Sequence, residues 1–443
     1  MGMTLVEKVI SQHCGKRAVG PGDTVLAEAD RIFCYGSALE TLCGVPEGEM
    51  PLYPGRVVVA FDQWAGESSV GERHRIAPAV RRLVRSWKID NFYDLGRGGI
   101  PAVGFADSGL ARPGDFLAGA DRQTLMFGAL GAVPLLLGVG EIRRCLFEGE
   151  VEIVVPATVR IDLEGDLQRW VGGHDIGSYI ADTVDLSAVR HKALEIGGSV
   201  VAALDHHDRF SLAAALDVLK PAMVVIEGDE KTRVYVRSRC DKGFPLLTSD
   251  RDASFDDRMT IDCGRLRPQI VLDALSRPGA AENGEGERRT ISVDEARGRP
   301  VDHVIIGASS HGRIEDIRVV AGFLRDYLVD PAVTLTVVPG SQQVLLHAMD
   351  EGLTQIIIRA GGHVAVPSSR YNRVAHRGAI AEGGHLLSAA FCPAMDLKEL
   401  ARGAGSVSFC SPAMATAASI IGAIQTPLDL ARNVNRMATG MTR

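Results

Sequence analysis

The feature that most constrains the fold is the passage 302–327, DHVIIGASSHGRIEDIRVVAGFLRDY, in which one apolar period gives way to another. Residues 304–306 form an unbroken apolar run of the kind found in a strand buried on both faces of a parallel sheet. From Ile314 the apolar positions fall three or four apart, at Ile314, Ile317, Val320 and Leu324, which is helical spacing. Gly307-Ala308-Ser309-Ser310-His311-Gly312 must therefore turn the chain between the end of a strand and the start of a helix. α/β folds place ligands at such junctions, and free backbone N–H groups there attract anions. A serine at this point also has an ordinary use, since Ser309 or Ser310 would serve as a helix cap.

The same rhythm is expected elsewhere. Residues 4–14 read as an amphipathic helix, 24–29 as a strand, and 56–61 (RVVVAF) as a buried strand ending at Asp62. A basic helix around 76–87 precedes a strand end at 92–94 and the turn holding Arg97. Residues 116–121 form another strand ending in an acid, and the small-residue stretch 127–140 suggests tightly packed helix. Strands are expected at 151–155, 159–163 and 223–227, with 174–220 mostly helical. Beyond 277–299, rich in Pro, Gly and charge and read as a linker, the rhythm restarts at 304–306, 333–338, 356–358 and 386–387. The expected division is thus 1–276, a linker 277–299, and 300–443. With 443 residues, 46% hydrophobic and 23% charged, the chain suits a multi-domain α/β protein. A net charge of −7 and no long basic run argue against nucleic-acid binding. Eight cysteines without C-x-x-C spacing point to neither a disulfide framework nor a zinc knuckle, so a reduced, cytoplasmic chain is expected. The first residues carry a charge within their apolar part, unlike a signal peptide, and 134–140 is too short to cross a bilayer, so no membrane association is expected.

Seven strings, in order, carry a resemblance: MGMTLVEKVISQHCGK, GRVVVAFD, GDFLAGADRQTLMFGALGA, VPATVRIDLEG, GRIEDIRVVAGFL, VTLTVVPGSQQVLLHAMDEGL and SPAMATAASIIGAI. Together they resemble the large subunit of the aconitase and 3-isopropylmalate dehydratase superfamily over almost the whole chain. The resemblance implies three α/β/α domains around a central cleft. The family's swivelling domain is expected to be missing from this chain and carried on a separate small subunit. It also implies removal and re-addition of water on hydroxy di- or tricarboxylates, with a 4Fe–4S cluster on three cysteines acting as Lewis acid.

At the cluster positions the chain departs from that pattern. Ser309 stands at the first cysteine, and Arg370 and Arg373 stand at the other two, in Pro367-Ser-Ser-Arg370-Tyr-Asn-Arg373. Neither serine nor arginine replaces the soft thiolates that such a cluster needs, so no cluster and no other metal is expected. The family's Asp-His becomes Asp62-Gln63, its Gly-Ile-His becomes Gly99-Ile100-Pro101, and its Asp-Ser-His becomes Asp121-Arg122-Gln123. Its Ser-Asn-Arg string falls about Ala390-Phe391-Cys392. Kept acids are Asp62, Asp121 and Glu195.

One reading is a cluster-free lyase or isomerase. Arg97, Arg122, Arg313, Arg370 and Arg373 bind a small polycarboxylate or related anionic acid, because guanidinium is a fixed-charge, bidentate partner for carboxylates. His311, flanked by Ser309 and Ser310, moves a proton, with Asp62, Asp121 or Glu195 orienting or abstracting. The bland counterpart of this reading is that some of these arginines only pair with Asp62 and Asp121, filling the space the cluster left. The alternative is a non-catalytic pseudoenzyme subunit that holds a partner or a small-subunit homologue. Three further motifs are set aside. The spacing of the 307–312 turn fails the G-x-S-x-G elbow of a serine hydrolase. The run 205–208 (DHHD) reads as a solvated polar turn rather than a metal site, and 138–140 lacks the third glycine of a dinucleotide loop.

Overall fold

A computed structural model describes residues 2–61, 70–272, 289–309, 311–369, 384–389 and 406–430. The chain is a mixed α/β protein that divides into two units: Met1–Asp166 with Val184–Gly264, and Leu167–Thr183 with Arg265–Arg443. The expected boundary at 276 lies outside the described residues. The described remainder of the expected linker is ordered, with a strand at Arg289–Ser292 and a helical turn at Val293–Ala296.

In the first unit, α1 (Leu5–His13) is set by a reciprocal cap. The Glu7 N–H donates to the Thr4 hydroxyl and the Thr4 N–H donates to the Glu7 carboxylate. Its apolar face, Leu5, Val6, Val9 and Ile10, is buried. β1 (Thr24–Glu28) follows. The first sheet is wholly parallel and holds β2 (Arg31–Cys34), β3 (Val57–Ala60), β4 (Asn91–Tyr93), β5 (Phe116–Gly119) and β6 (Val133–Leu136), in the order β4-β3-β2-β5-β6. Every residue of β3 is buried, as expected of a strand covered on both faces. β7 (Glu150–Val154) returns antiparallel onto β1. A second parallel sheet holds β8 (Thr158–Glu164), β9 (Ala193–Gly197), β10 (Met223–Ile226) and β11 (Asp257–Asp262), in the order β10-β9-β8-β11.

Two expectations about elements are corrected, at 127–140 and at 356–358. Residues 127–140 do not form one helix. A 3-10 helix, Arg122–Leu130, ends where Gly131 turns left-handed (φ 73°), and β6 follows. A Cβ at Gly128 would lie 1.7 Å from the Val224 carbonyl oxygen, so the small residues here admit the β10 backbone rather than a packed helix. The stretch 174–220 is mostly helical, as expected, with β9, apolar apart from Glu195, between its helices. Residues 356–358 lie in a helix, not a strand.

The second unit is built on one seven-stranded sheet, preceded by α2 (Gly173–Thr183). Its strands are β12 (Gln269–Leu272), β13 (Arg289–Ser292), β14 (His303–Gly307), β15 (Thr334–Val338), β16 (His363–Val364), β17 (His385–Ala389) and β18 (Ser406–Phe409). They lie in the order β13-β12-β18-β17-β14-β15-β16. The five from β18 to β16 are parallel, and β12 and β13 are antiparallel additions at one edge. The helices are α3 (Ile314–Leu324), α4 (Gln342–Asp350), α5 (Leu353–Arg359) and α6 (Pro412–Ile421). No helix among the described residues is long and apolar enough to cross a membrane.

Candidate functional site

β14 is the first strand laid down in the parallel part of the sheet. β15 and β16 then build to one side, and β17 and β18 build to the other. That reversal beside β14 is a topological switch point, where open α/β sheets bind ligands beyond the carboxyl ends of their strands. The turn 307–313 sits there. Gly307 (φ 102°) and Gly312 (φ 97°) both face the Val338 carbonyl of β15. A Cβ on either would lie 2.0 Å or 2.5 Å from that oxygen, and the Gly340 N–H donates to the Gly312 carbonyl at 2.7 Å. Between the glycines, Ala308 holds a left-handed backbone (φ 69°) despite its Cβ. Strain of this kind costs about 1–3 kcal/mol and persists only where its surroundings enforce it.

The N-cap of the helix after the turn is Arg313, not Ser309. α3 starts at Ile314, and Asp316 reaches back so that the Gly312 and Arg313 N–H groups donate to its Oδ2 at 2.8 and 3.0 Å. The expected free N–H groups are thus partly taken by an internal carboxylate, placed where the helix dipole favours negative charge.

Side chains of the turn point inward. Ser309, His311 and Arg313 are 2%, 2% and 3% exposed. His311 Nδ1 lies 3.5 Å from Asp316 Oδ1, and neither His311 ring nitrogen makes a hydrogen bond among the described residues. The imidazole of His174, at the start of α2, has its centroid 5.9 Å from that of His311 with the rings at 50°. Burial, and secondarily the charge of His311, pull the His174 pKa down to about 3, so this ring is uncharged at neutral pH. The next residue, Asp175, is fully buried and accepts from the N–H groups of Gly172 (2.9 Å) and Gln269 (2.7 Å). Reading the sequence did not single out His174. The available signal was a His-Asp pair after two glycines, opening an otherwise apolar helical stretch.

In the first unit the expected groups have other employments. Glu195 is wholly buried on β9 and accepts from Ser249 Oγ (2.6 Å), Arg160 Nη1 (2.8 Å) and the Leu5 N–H (3.2 Å). Burial raises its pKa against the pull of Ser249 and Arg160. Arg160 also binds Asp162 at 2.7 Å and Glu227 at 2.6 Å, so Glu195 belongs to an internal ion network that ties α1 to the second sheet. Asp121 caps the 3-10 helix by accepting from the Gln123 N–H at 2.9 Å. Arg122 pairs with Asp217, not with Asp121. Arg97 is exposed in the turn after β4. The structure therefore brings Ser309, His311 and Arg313 together, whereas Arg97, Arg122, Asp121 and Glu195 belong to the other unit. Asp62, Ser310, Arg370 and Arg373 lie outside the described residues.

A sequence profile of the aconitase family (aconitate hydratase) matches residues 72–368. The chain belongs to the aconitase family. Its relatives include the 3-isopropylmalate dehydratase large subunit of Moorella thermoacetica, 30% identical over 440 residues that cover 98% of this chain and all of that one. The corresponding subunit of Syntrophus aciditrophicus is 29% identical over 435 residues, and large subunit 1 of Pyrococcus furiosus is 28% identical over 438. Each covers 97% of this chain and all of the relative. In fold, the crystal structure of Thermococcus kodakaraensis aconitase X in its holo-form is similar, with a TM-score of 0.50, 14% identity, and coverage of 86% of this chain and 87% of that one.

The family implies a cluster on three thiolates, so the thiols of this aconitase-family chain bear on what it can hold. The second unit contains two cysteines in sequence, Cys392 and Cys410. Cys410 is fully buried after β18, and burial together with Asp175 pushes its thiol well above the ordinary value. In the first unit, burial raises Cys34 and Cys145 to about 12 and Cys263 to about 11, which keeps them as inert thiols. Among the described residues no group of three His, Cys, Asp or Glu side chains is arranged to hold a metal ion.

Proposed function

We propose that this protein is a lyase or isomerase of the hydro-lyase type that acts on a small polycarboxylate or related anionic acid without an iron–sulfur cluster. The observation that carries the reading is the buried Ser309–His311–Arg313 turn at the β14 switch point, where the family's first cluster cysteine is replaced by a hydroxyl. With serine there and arginines at positions 370 and 373, the donor set does not fit a three-thiolate cluster, and no step is assigned to one.

In this reading Arg313, joined by Arg370 and Arg373, binds substrate carboxylate. Fixed guanidinium charge in a dry site stabilises negative charge that develops on the acid as a proton leaves carbon. His311, whose Nδ1 lies 3.5 Å from Asp316 Oδ1, donates or accepts the proton. Ser309 offers a hydroxyl to a substrate oxygen. A separate small subunit is an expected partner, because the relatives named above are large subunits.

Two measurements test the proposal. Iron and acid-labile sulfide assays on anaerobically purified protein should find no stoichiometric cluster, and a brown protein with four irons per chain (about the family's complement) would refute the cluster-free claim. Thermal-shift screening against di- and tricarboxylates should raise the melting temperature, since a ligand at about a hundred times its Kd stabilises by about 2.7 kcal/mol. The second reading, a pseudoenzyme subunit that holds a partner, is favoured by the internal pairing of Arg122 with Asp217 and of Glu195 with Arg160. Silence toward every acid, together with a tight protein partner, would establish it instead.

A further inference from the structure

We propose that His174 is a functional residue of this site, the uncharged member of a two-imidazole pair in which His311, beside Asp316, carries the proton. This rests on the reading that the turn after β14 is where the chemistry occurs.

The geometry argues for the pair. Both rings are buried, 1% and 2% exposed, with centroids 5.9 Å apart, and both belong to the second unit. Two positive charges at that distance, at an effective dielectric near 20, repel by about two pH units' worth of proton affinity. The pair therefore holds at most one proton through the neutral range. Asp316 decides which ring takes it, because its Oδ1 lies 3.5 Å from His311 Nδ1 while its Oδ2 is fixed by two backbone N–H groups. On the other side, the Asp175 carboxylate is turned to the Gly172 and Gln269 N–H groups rather than offered as a counter-ion. Arg313, in the same turn, opposes a second positive charge, and the Cys410 thiol, which senses Asp175, is kept neutral by burial; α2 and α3 also carry Tyr179, Asp182, Glu315 and Arg318. The low proton affinity of His174 agrees with this assignment.

Environments that push two titratable groups apart assign acid and base roles. His311 becomes the proton carrier. His174 is a positioning residue acting through it, since an uncharged ring there leaves the single proton on the Asp316 side.

The test is nuclear magnetic resonance of full-length protein labelled with 15N-histidine, titrated from about pH 5 to 9 across the ordinary histidine range. Signals are assigned with His174→Gln and His311→Asn. In the wild type, His311 should titrate while His174 stays neutral throughout. In His311→Asn the His174 midpoint should move up by about one unit or more, and in Asp316→Asn the His311 midpoint should fall by about one unit. A wild-type His174 that titrates near its ordinary value, or one unmoved in His311→Asn, would overturn the proposal. Neither of those results requires His174→Gln to fold. Coupled titration without any acid ligand in the thermal-shift screen would sustain the pair and sink the proposed function. Independent titration with clear acid binding would do the reverse.

Discussion

Asp316→Ala tests the turn most directly. The carboxylate is 2% exposed and accepts from the Gly312 N–H at 2.8 Å and the Arg313 N–H at 3.0 Å. Alanine strands both donors in a buried place, and each unsatisfied group costs about 1–3 kcal/mol, partly recovered if water enters the vacated space. Loss of a charge at a helix start adds up to about 1 kcal/mol. The expected local cost is about 2–4 kcal/mol, at or above the upper end for an ordinary cap. Because a chain of two units need not melt in one step, hydrogen–deuterium exchange of the peptide spanning 311–318 is the appropriate assay. Each 1.4 kcal/mol is tenfold, so exchange there should quicken by about 30-fold or more, while β2, in the first unit, stays protected. Asp316→Asn, which keeps an acceptor but not the charge, should show a smaller increase. Unchanged exchange in the alanine variant would mean that the turn is held by the glycine contacts with Val338 alone, and the reasoning would fail.

Gly307→Ala should cost more than about 4 kcal/mol, because it adds a left-handed side chain to an overlap with a strand carbonyl, and little soluble folded protein should be recovered. For the His13–Asp30 pair (2.7 Å), burial opposes both charges. The mutual hydrogen bond, with the Val9 carbonyl for His13 and the Phe116 N–H for Asp30, wins and raises the histidine while lowering the acid. A raised histidine stabilises the fold fully below its unfolded value of about 6.5 and loses that contribution as pH rises through the folded one. The depressed acid adds stability above about 3.9 that disappears as pH falls through its folded value. Denaturation curves should therefore show the wild-type advantage over His13→Gln largest near pH 5–6 and shrinking in alkali. Arg313→Gln and Arg370→Ala should each abolish stabilisation by polycarboxylates, whereas Arg97→Ala should leave it intact. A lost response in Arg97→Ala, or an unchanged one in Arg370→Ala, would redraw the site.

The turn after β14 was legible because its signals are local: a change of apolar period, two glycines, and polar residues where the backbone must reverse. The Asp316 cap was not read, although it stands three residues into the helix, because an acid in a first turn looks like surface until its burial is known. His174 was missed for a different reason. Its neighbour in space is far away in sequence, and no spacing rule joins the start of one helix to a turn behind another strand. The pairing of Glu195 was not legible, because a buried acid reads the same whether it faces a ligand or an arginine. Its partner, Arg160, sits on the preceding strand, β8, 35 residues earlier, and only the parallel register that pairs Arg160 with Glu195 reveals it. The stretch 127–140 was misread because small residues serve helix packing and strand-on-backbone packing equally well.

Leu167–Thr183 joins the second unit although the chain then returns to the first, so the backbone passes between the units three times. Its anchor is Trp170, held left-handed at φ 70° with its indole 5.4 Å from Phe323 of α3. On the ribosome this segment emerges well before the strands it will pack with. At about 5–20 residues per second, His174 waits on the order of ten seconds for His311 to be synthesised. Assembly of the imidazole pair is thus a late event in the birth of the chain, and any single cut between residues 174 and 311 would leave its two members on different fragments.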